Sequence, residues 1–562
     1  MEINPTVLTN EFNHFFINSV REITEMFQEP TLTARPIDPA EPVFSLQEIT
    51  ELDVAKIIGS LKNSKAKDVH GLDTNIIKLC KESLLLPITH MVNLSFKQKC
   101  VPLSWKMATV TPIFKSGDSS NIGNYRPISI LPVVSKVAEK WVTKLINEHL
   151  NKGHSLLHPM QFGFREHHST EFANCLFIEK IKHMLDSNPC VGAVFLDLKK
   201  AFDTVNHEIL LSKLTYFNFS MDAIQWIKSY LEFRKQCVCI NSVKSTFLDV
   251  PVGLPQGSIL GPLLFSMYIN DLPNTCGNVE FQMYADDAVI FTSAKNIQEA
   301  ASILTSALVP VNEWLSKSCL LLNTTKTVCM MFTKQPLDIK HSGIFLEGQE
   351  LEIVSKFKYL GVTLDSTLSF KSHIKKISNT VKFNLNNFKQ IRPFITLGAA
   401  RTFLHSMILS HIEYCITCWS LAGVNTSKTI ESLYKKSLKV LYRKPMSFHV
   451  CNILKKYKLL SFENFKNFKF ACLMYKVLHG LAPPPMSDFF KKRAHSALRT
   501  RASSRGDCEV PYRKTAFGQN ALFVKASKLW NSLPLYIREC QTLQTFKTQL
   551  KQWLKANQSC SH

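Results

Sequence analysis

Val279-Glu280-Phe281-Gln282-Met283-Tyr284-Ala285-Asp286-Asp287-Ala288-Val289-Ile290-Phe291-Thr292 sets two adjacent acids between two apolar, strand-prone runs. The pattern predicts a β-hairpin with the acids at its turn. Adjacent aspartates repel one another, and burying them without a partner is costly. Most Asp-Asp pairs are solvated turn residues, but these flanks are too apolar for a plain surface loop. A divalent cation resolves such a site, and a hard ion such as Mg²⁺ takes carboxylate oxygens.

A third acid lies upstream. Gly192-Ala193-Val194-Phe195-Leu196-Asp197-Leu198-Lys199-Lys200-Ala201-Phe202-Asp203 is an apolar run that ends in Asp197. A helix start is expected to follow, with Asp203 in its first turns. Two strands of buried type, each ending in carboxylate, point to one two-metal centre, which clamps the attacking and leaving oxygens of a phosphoryl transfer. The competing reading is that Asp197 caps the following helix.

Three sets of residues carry a resemblance: Phe195-Leu196-Asp197 with Ala201-Phe202-Asp203, then Gly253-Leu254-Pro255-Gln256-Gly257-Ser258, then Tyr284-Ala285-Asp286-Asp287. In residue type, order and spacing they resemble the palm motifs of reverse transcriptases. More narrowly, the chain resembles the polymerase of LINE-type (non-LTR) retrotransposons of the jockey kind, from about Leu61 to Leu364 and more weakly beyond. The resemblance implies an α+β right-hand polymerase with fingers, a palm built on an antiparallel sheet and a helical thumb. Asp197, Asp286 and Asp287 would be catalytic and would hold two Mg²⁺ ions, for which Mn²⁺ is a substitute. The implied partners are an RNA template, a DNA primer, their RNA–DNA hybrid and dNTPs.

Composition agrees with such partners. The 562 residues carry 67 Lys and Arg against 44 Asp and Glu, a net charge of +23 that calls for an acidic partner, nucleic acid or an anionic membrane. No apolar run of some 18 residues argues for a transmembrane span, and the N-terminus has no secretory pattern. An intracellular protein of nucleus or cytoplasm is therefore expected, with its 16 cysteines reduced. Cys415 and Cys418 form a CxxC without a second ligand pair at zinc spacing, and read as core cysteines on an apolar helix.

Four segments are expected. Residues 1–94 form a helical extension and linker, in which Phe12, Phe15, Phe16, Val20, Ile23 and Phe27 suit one amphipathic helix. Pro30, Pro36, Pro39 and Pro42 follow as a linker, and Ser45-Leu46-Gln47-Glu48 reads as a capping box before an apolar face of Leu52, Val54, Ile57, Ile58 and Leu61. In LINE-type polyproteins a similar Phe-rich stretch follows an endonuclease, so the chain is expected to lack that domain.

Residues 95–365 hold the fingers and palm. A strand ending in Lys115-Ser116-Gly117-Asp118, then Asn124-Tyr125-Arg126-Pro127, resembles the fingers hairpin, with Lys115 and Arg126 facing a nucleotide triphosphate. By the same resemblance Phe202 lies against the sugar and excludes a 2′-hydroxyl, Gln256 packs near base and sugar, and Lys326 neutralises pyrophosphate or donates a proton. Ser258 would open the helix after the Gly/Pro-rich loop. Tyr359-Leu360-Gly361 resembles the hairpin that grips the primer end, with Gly361 at its bend.

Residues 366–445 read as a thumb, with Phe370, Ile374, Ile377, Val381, Leu385 and Phe388 in one stripe. Lys371, Lys375, Lys376, Lys382, Lys389 and Arg392 lie on other faces. Residues 446–562 are a basic, mostly helical C-terminal region. The rival readings are an RNA-dependent RNA polymerase, which Phe202 argues against, a group II intron maturase, and a truncated or domesticated element product that binds nucleic acid without polymerising.

Overall fold

The computed structural model describes residues 4–27, 43–151, 156–337, 339–421, 423–491 and 507–558. The linker prolines Pro30, Pro36, Pro39 and Pro42, and the basic residues Lys492, Arg493, Arg499, Arg501 and Arg505, lie outside them. The architecture is α+β, and the chain divides into two compact units. The first comprises Met1–Phe164, Asp197–Gly277 and Leu308–Asn323; the second comprises Arg165–Leu196, Asn278–Ala307 and Thr324–His562.

The first unit opens with the helix Pro5–Thr24, started by Asn4, whose side chain accepts from Thr6 N. The Phe spacing makes it amphipathic as expected. Phe12 and Phe16 close a small core with Val110 and Val238, whereas Phe15 stays exposed. A buried polar residue fixes the helix on the sheet. Asn13 Nδ2 donates to Thr246 O at 2.9 Å and Ser245 Oγ at 3.1 Å, and its Oδ1 accepts from Gln236 Nε2 at 3.0 Å.

That sheet is mixed. Its order is Tyr125–Ile130, Met107–Phe114, Arg234–Ile240, Val243–Lys244, with Leu248–Val250 also on Arg234–Ile240. Met107–Phe114 pairs antiparallel with Tyr125–Ile130, which forms the expected fingers hairpin. The next helix begins at Glu51, and its capping box is not Ser45–Glu48 but Thr50 with Asp53. Thr50 Oγ1 accepts from Asp53 N at 3.2 Å and donates to Asp53 Oδ2 at 2.6 Å, and the Thr50 backbone N–H also donates to the Asp53 carboxylate, the reciprocal bond of a capping box. Leu52, read as part of the apolar face, is exposed; Val54, Ile57, Ile58 and Leu61 are buried.

The second unit is built on a sheet of order Glu352–Ile353, Val328–Thr333, Cys190–Leu196, Asp287–Ala294, Glu280–Tyr284. Every residue of Cys190–Leu196 is buried, which explains its unbroken apolar run: the strand is central and covered on both faces. On one side the helix Thr170–Ser187 sets the Phe177 ring 5.1 Å from that of Phe291 and 5.9 Å from that of Phe195. Elsewhere on the strand Gly192 admits a close neighbour, since a Cβ there would stand 2.7 Å from Leu304 Cδ1.

Further along, the helix Lys371–Ile391 buries the stripe Ile374, Ile377, Val381, Leu385 and Phe388, with Phe370 buried just before it. Lys371, Lys375, Lys376, Lys382 and Lys389 are exposed as expected. Arg392 is not part of that basic face: it is buried, donating through Nε to Leu441 O at 2.8 Å and through Nη1 to Ile395 O at 3.1 Å. The C-terminal helices Phe462–Leu478, Leu522–Ser532 and Leu543–Ala556 join the same unit. Buried Glu179 ties them in by accepting from Leu522 N at 2.9 Å. The CxxC thiols are core groups: Cys415 and Cys418 are buried, and Cys418 Sγ lies 3.2 Å from Cys175 Sγ. Cys451 is in a disulfide, so the expectation that all 16 cysteines are reduced does not hold. Among the described residues no helix is long and apolar enough to cross a membrane.

Candidate active site

The acidic hairpin of the second unit forms as its sequence predicts. Tyr284 pairs with Asp287, leaving Ala285 and Asp286 as a two-residue loop. Ala285 sits at φ +56°, a left-handed conformation that costs a non-glycine residue energy and recurs at functional turns. Asp286 is half-buried and Asp287 exposed. Behind the turn, Gln282 Nε2 donates to Tyr359 Oη at 3.1 Å, which brings the acidic hairpin and the hairpin Lys356–Tyr359/Val362–Asp365 together. Burial pushes the Tyr359 phenol well up; the Gln282 hydrogen bond opposes this and the Asp287 charge adds to it.

Leu360 and Gly361 make the bend of that second hairpin, at φ +40° and +83°. Two positive φ values suit a tight hairpin turn, and glycine is the residue that tolerates the more demanding position. The bend is held from outside: Tyr414 Oη donates to Leu360 O at 2.7 Å, and Asn174 Nδ2 donates to the same oxygen at 3.3 Å. A side chain at Gly361 would press on the Tyr414 ring, 2.8 Å from Cε1. Lys326 is exposed, in the turn before Val328–Thr333.

In the first unit Asp197 is half-buried and oriented by Asn323. Asn323 Nδ2 donates to Asp197 Oδ2 at 2.9 Å, while its backbone N–H donates to Asp197 O at 2.7 Å. Leu321–Leu322 pairs with Leu198–Lys199 beside this contact. The expected helix start does not follow Asp197. The chain makes a short strand and then a turn, with Lys200 at φ +47° and its carbonyl accepting from Asp203 N and Thr204 N. The next helix, His207–Tyr216, is capped by Asn206, so Asp197 is not its cap.

The Gly/Pro-rich loop is pinned to that turn and to the fingers hairpin. Leu254 N donates to Phe202 O at 2.8 Å and Gly253 N to Val205 O at 2.9 Å. Gly253, at φ +84°, has no room for a Cβ, which would fall 2.3 Å from Asp203 O. On the other side Ser129 N donates to Gln256 O at 2.7 Å, and a Cβ on Gly257 would fall 2.4 Å from Ser129 O. Gln256 Nε2 donates to both carboxylate oxygens of Asp203 at 2.8 Å. Ser258 Oγ accepts from Gly261 N at 3.0 Å, at the start of the helix Gly261–Tyr268 as expected.

Phe202 is half-buried, neither a core ring nor a free one. It stacks on Phe265 with centroids 4.3 Å apart and planes at 20°, and meets Phe164 edge-on at 6.1 Å. Burial pushes the Asp203 carboxyl up to about 6, with the Gln256 hydrogen bonds and the Lys200 charge opposing. Lys115 and Arg126 are both exposed on the fingers hairpin. Arg126 stands opposite Ile113, and strand alternation puts Lys115, two residues on, on the same face.

Three residues given no role from sequence turn out to position the site. Asn323 holds Asp197; Asp203 holds Gln256. Glu139, buried in the helix Val133–Leu150, accepts from Ile259 N at 2.7 Å and Leu260 N at 3.2 Å and so fixes the end of the Gly/Pro-rich loop. A lone acid on the apolar face of that helix was its signal. Among the described residues no three His, Cys, Asp or Glu side chains are gathered to hold a metal ion by themselves. Mg²⁺ seldom needs that, because it commonly takes one or two carboxylates and fills its octahedron from waters and substrate phosphates.

Residues 113–364 match the family described as reverse transcriptase (RNA-dependent DNA polymerase). The chain is 29% identical over 447 residues, 77% of its length and 48% of the relative's, to the probable RNA-directed DNA polymerase from transposon BS of Drosophila melanogaster. It is 28% identical over 436 residues, 75% of its length and 46% of the relative's, to the RNA-directed DNA polymerase from mobile element jockey of Drosophila funebris. A third relative is the probable RNA-directed DNA polymerase from transposon X-element of Drosophila melanogaster, 26% identical over 78% of this chain and 48% of the relative. The chain thus spans about half the length of these curated relatives.

Proposed function

We propose, from the premise that residues 113–364 are a reverse transcriptase domain of the LINE-type retrotransposon kind, that the chain is an RNA-directed DNA polymerase. It would transfer a nucleotide from a dNTP to a primer 3′-hydroxyl on an RNA template. The observation that carries the reading is the register of the second unit's central ladder. Leu196 pairs with Ala288, so the end of the strand Cys190–Leu196 lies beside the start of the strand Asp287–Ala294.

Asp197, Asp286 and Asp287 are the residues that would hold two Mg²⁺ ions, with Mn²⁺ as a substitute. The donor set is all carboxylate, and Asp287 is open to solvent, as an ion completed by phosphate oxygens and water requires. When bound, such ions supply activation of the primer hydroxyl and charge neutralisation at the leaving pyrophosphate. Lys115 and Arg126 reach the triphosphate from one face of a hairpin. Phe202, backed by Phe265, forms a wall against a 2′-oxygen. Gln256 lines the nucleotide pocket, Lys326 serves the pyrophosphate, and Tyr359, Leu360 and Gly361 hold the primer end. Residues 366–445 serve as thumb, and their exposed lysines grip the hybrid by its backbone.

Primer extension by the purified chain, with Mg²⁺ and a generic RNA template, tests the reading. Templated dNTP incorporation is expected. Preference for rNTPs would make it an RNA polymerase, and binding without extension a nucleic-acid-binding product.

A further inference from the structure

The first helix of the chain touches the turn that follows Asp197. Lys200 Nζ donates to Ser19 Oγ, which in turn donates to Phe15 O. The same ammonium stands 5.3 Å from the centre of the Phe15 ring, a cation–π distance. Burial lowers the Lys200 pKa, and the carboxylates of Asp203 and Glu22 oppose that effect. The Lys200 carbonyl accepts from Asp203 N at 2.8 Å and Thr204 N at 3.1 Å, and the Asp203 carboxylate receives Gln256. An unbroken series of contacts thus runs from the helix Pro5–Thr24 through Lys200 and Asp203 to Gln256.

We infer that Lys200 is a positioning residue and that the helix Pro5–Thr24, through Ser19 and Phe15, fixes the turn presenting Asp197 and Phe202. The inference rests on the polymerase reading of those residues. The contacts are more specific than plain packing. The helix already has its own anchor, through Phe12, Phe16 and the Asn13 hydrogen bonds; Phe15 meets that core only edge-on, its ring 6.1 Å from that of Phe16. Phe15 is 36% exposed, more than an aromatic ring needs to be for packing alone. Lys200, for its part, adopts φ +47°, an uncommon conformation for a residue other than glycine. A carboxylate ligand misplaced by a fraction of an ångström loses much of its effect on the reaction.

Two measurements on the full chain test this. The first is hydrogen exchange at the amides of Asp203 and Thr204. Faster exchange in Phe15→Ala/Ser19→Ala than in the parent supports the link, and unchanged exchange overturns it. This readout does not require the chain to extend a primer, so a parent without polymerase activity would defeat the functional reading and leave the inference decided on its own. The second is steady-state primer extension. Lys200→Met and Phe15→Ala/Ser19→Ala should each raise KM for dNTP by about tenfold, the combined variant should rise no further, and Lys200→Arg should stay near the parent. An unmoved KM with a lowered maximal rate, or effects that add in the combined variant, would mean that the helix only stabilises the fold.

Discussion

Gln256 Nε2 stands 2.8 Å from each carboxylate oxygen of Asp203, so one amide serves a whole half-buried carboxylate. The contact joins the Gly/Pro-rich loop to the turn that carries Phe202. A sheet does not make this junction; hydrogen bonds and two glycines without room for a Cβ do.

Asp203 therefore gives the protein a pH signature. Its carboxyl is raised from 3.8 to about 6 in the fold. A group raised in this way contributes stability that is fully present below the unfolded value and lost as pH rises through the folded one. Denaturant unfolding should show stability falling between about pH 4 and pH 6, by at most about 3 kcal/mol from this residue. Asp203→Asn should flatten that window. Gln256→Leu, which removes the amide donor, should cost about 1–3 kcal/mol at pH 8 and less at pH 5. A pH profile identical in the parent and Asp203→Asn would show that the carboxyl is not buried as described.

Asp286→Asn keeps the shape of the loop and removes one charge. Extension should fall by two or more orders of magnitude, on the order of 3 kcal/mol or more of transition-state stabilisation, while binding of RNA–DNA hybrid stays close to the parent. Single-turnover extension beside a hybrid-binding titration reads both. Activity near that of the parent would remove Asp286 from the metal ligands.

If the Phe202 ring is the wall against the 2′-oxygen, as proposed, Phe202→Ala should raise the ratio of rNTP to dNTP incorporation. Phe265 lies behind that ring at 4.3 Å, so the proposed wall would be held in place and its discrimination would be steric. Truncating a fully buried Phe costs about 3–5 kcal/mol, and the half-buried Phe202 should cost less. Competition between the two nucleotide types on folded protein separates selectivity from stability. An unchanged ratio would place Phe202 outside the sugar pocket.

The lysines of Lys371–Ile391 are exposed, on faces other than its buried stripe. Affinity for RNA–DNA hybrid should fall steeply with salt, and Lys375→Gln should reduce the log–log slope by about one unit if Lys375 meets a phosphate. Arg392→Gln should instead lower stability, because its guanidinium is spent on Leu441 O and Ile395 O. A salt-independent affinity would assign the basic face to another partner.

Local patterns in the chain were enough for the acidic hairpin, the hairpin of Met107–Phe114 with Tyr125–Ile130, the bend at Gly361 and the buried stripe of Lys371–Ile391. Each is a periodicity or a turn signal contained within some twenty residues, and short-range sterics decide it. The same patterns misplaced the capping box at Ser45–Glu48, the helix start after Asp197 and the exposure of Leu52 and Arg392. After Asp197 and at Arg392 a distant partner overrules the local preference. Asn323 reaches Asp197 from 126 residues away and Glu139 reaches Ile259 from 120. Such pairings have no periodicity to betray them. They exist because a buried carboxylate or carbonyl must find a donor, and only the folded chain decides which donor is near.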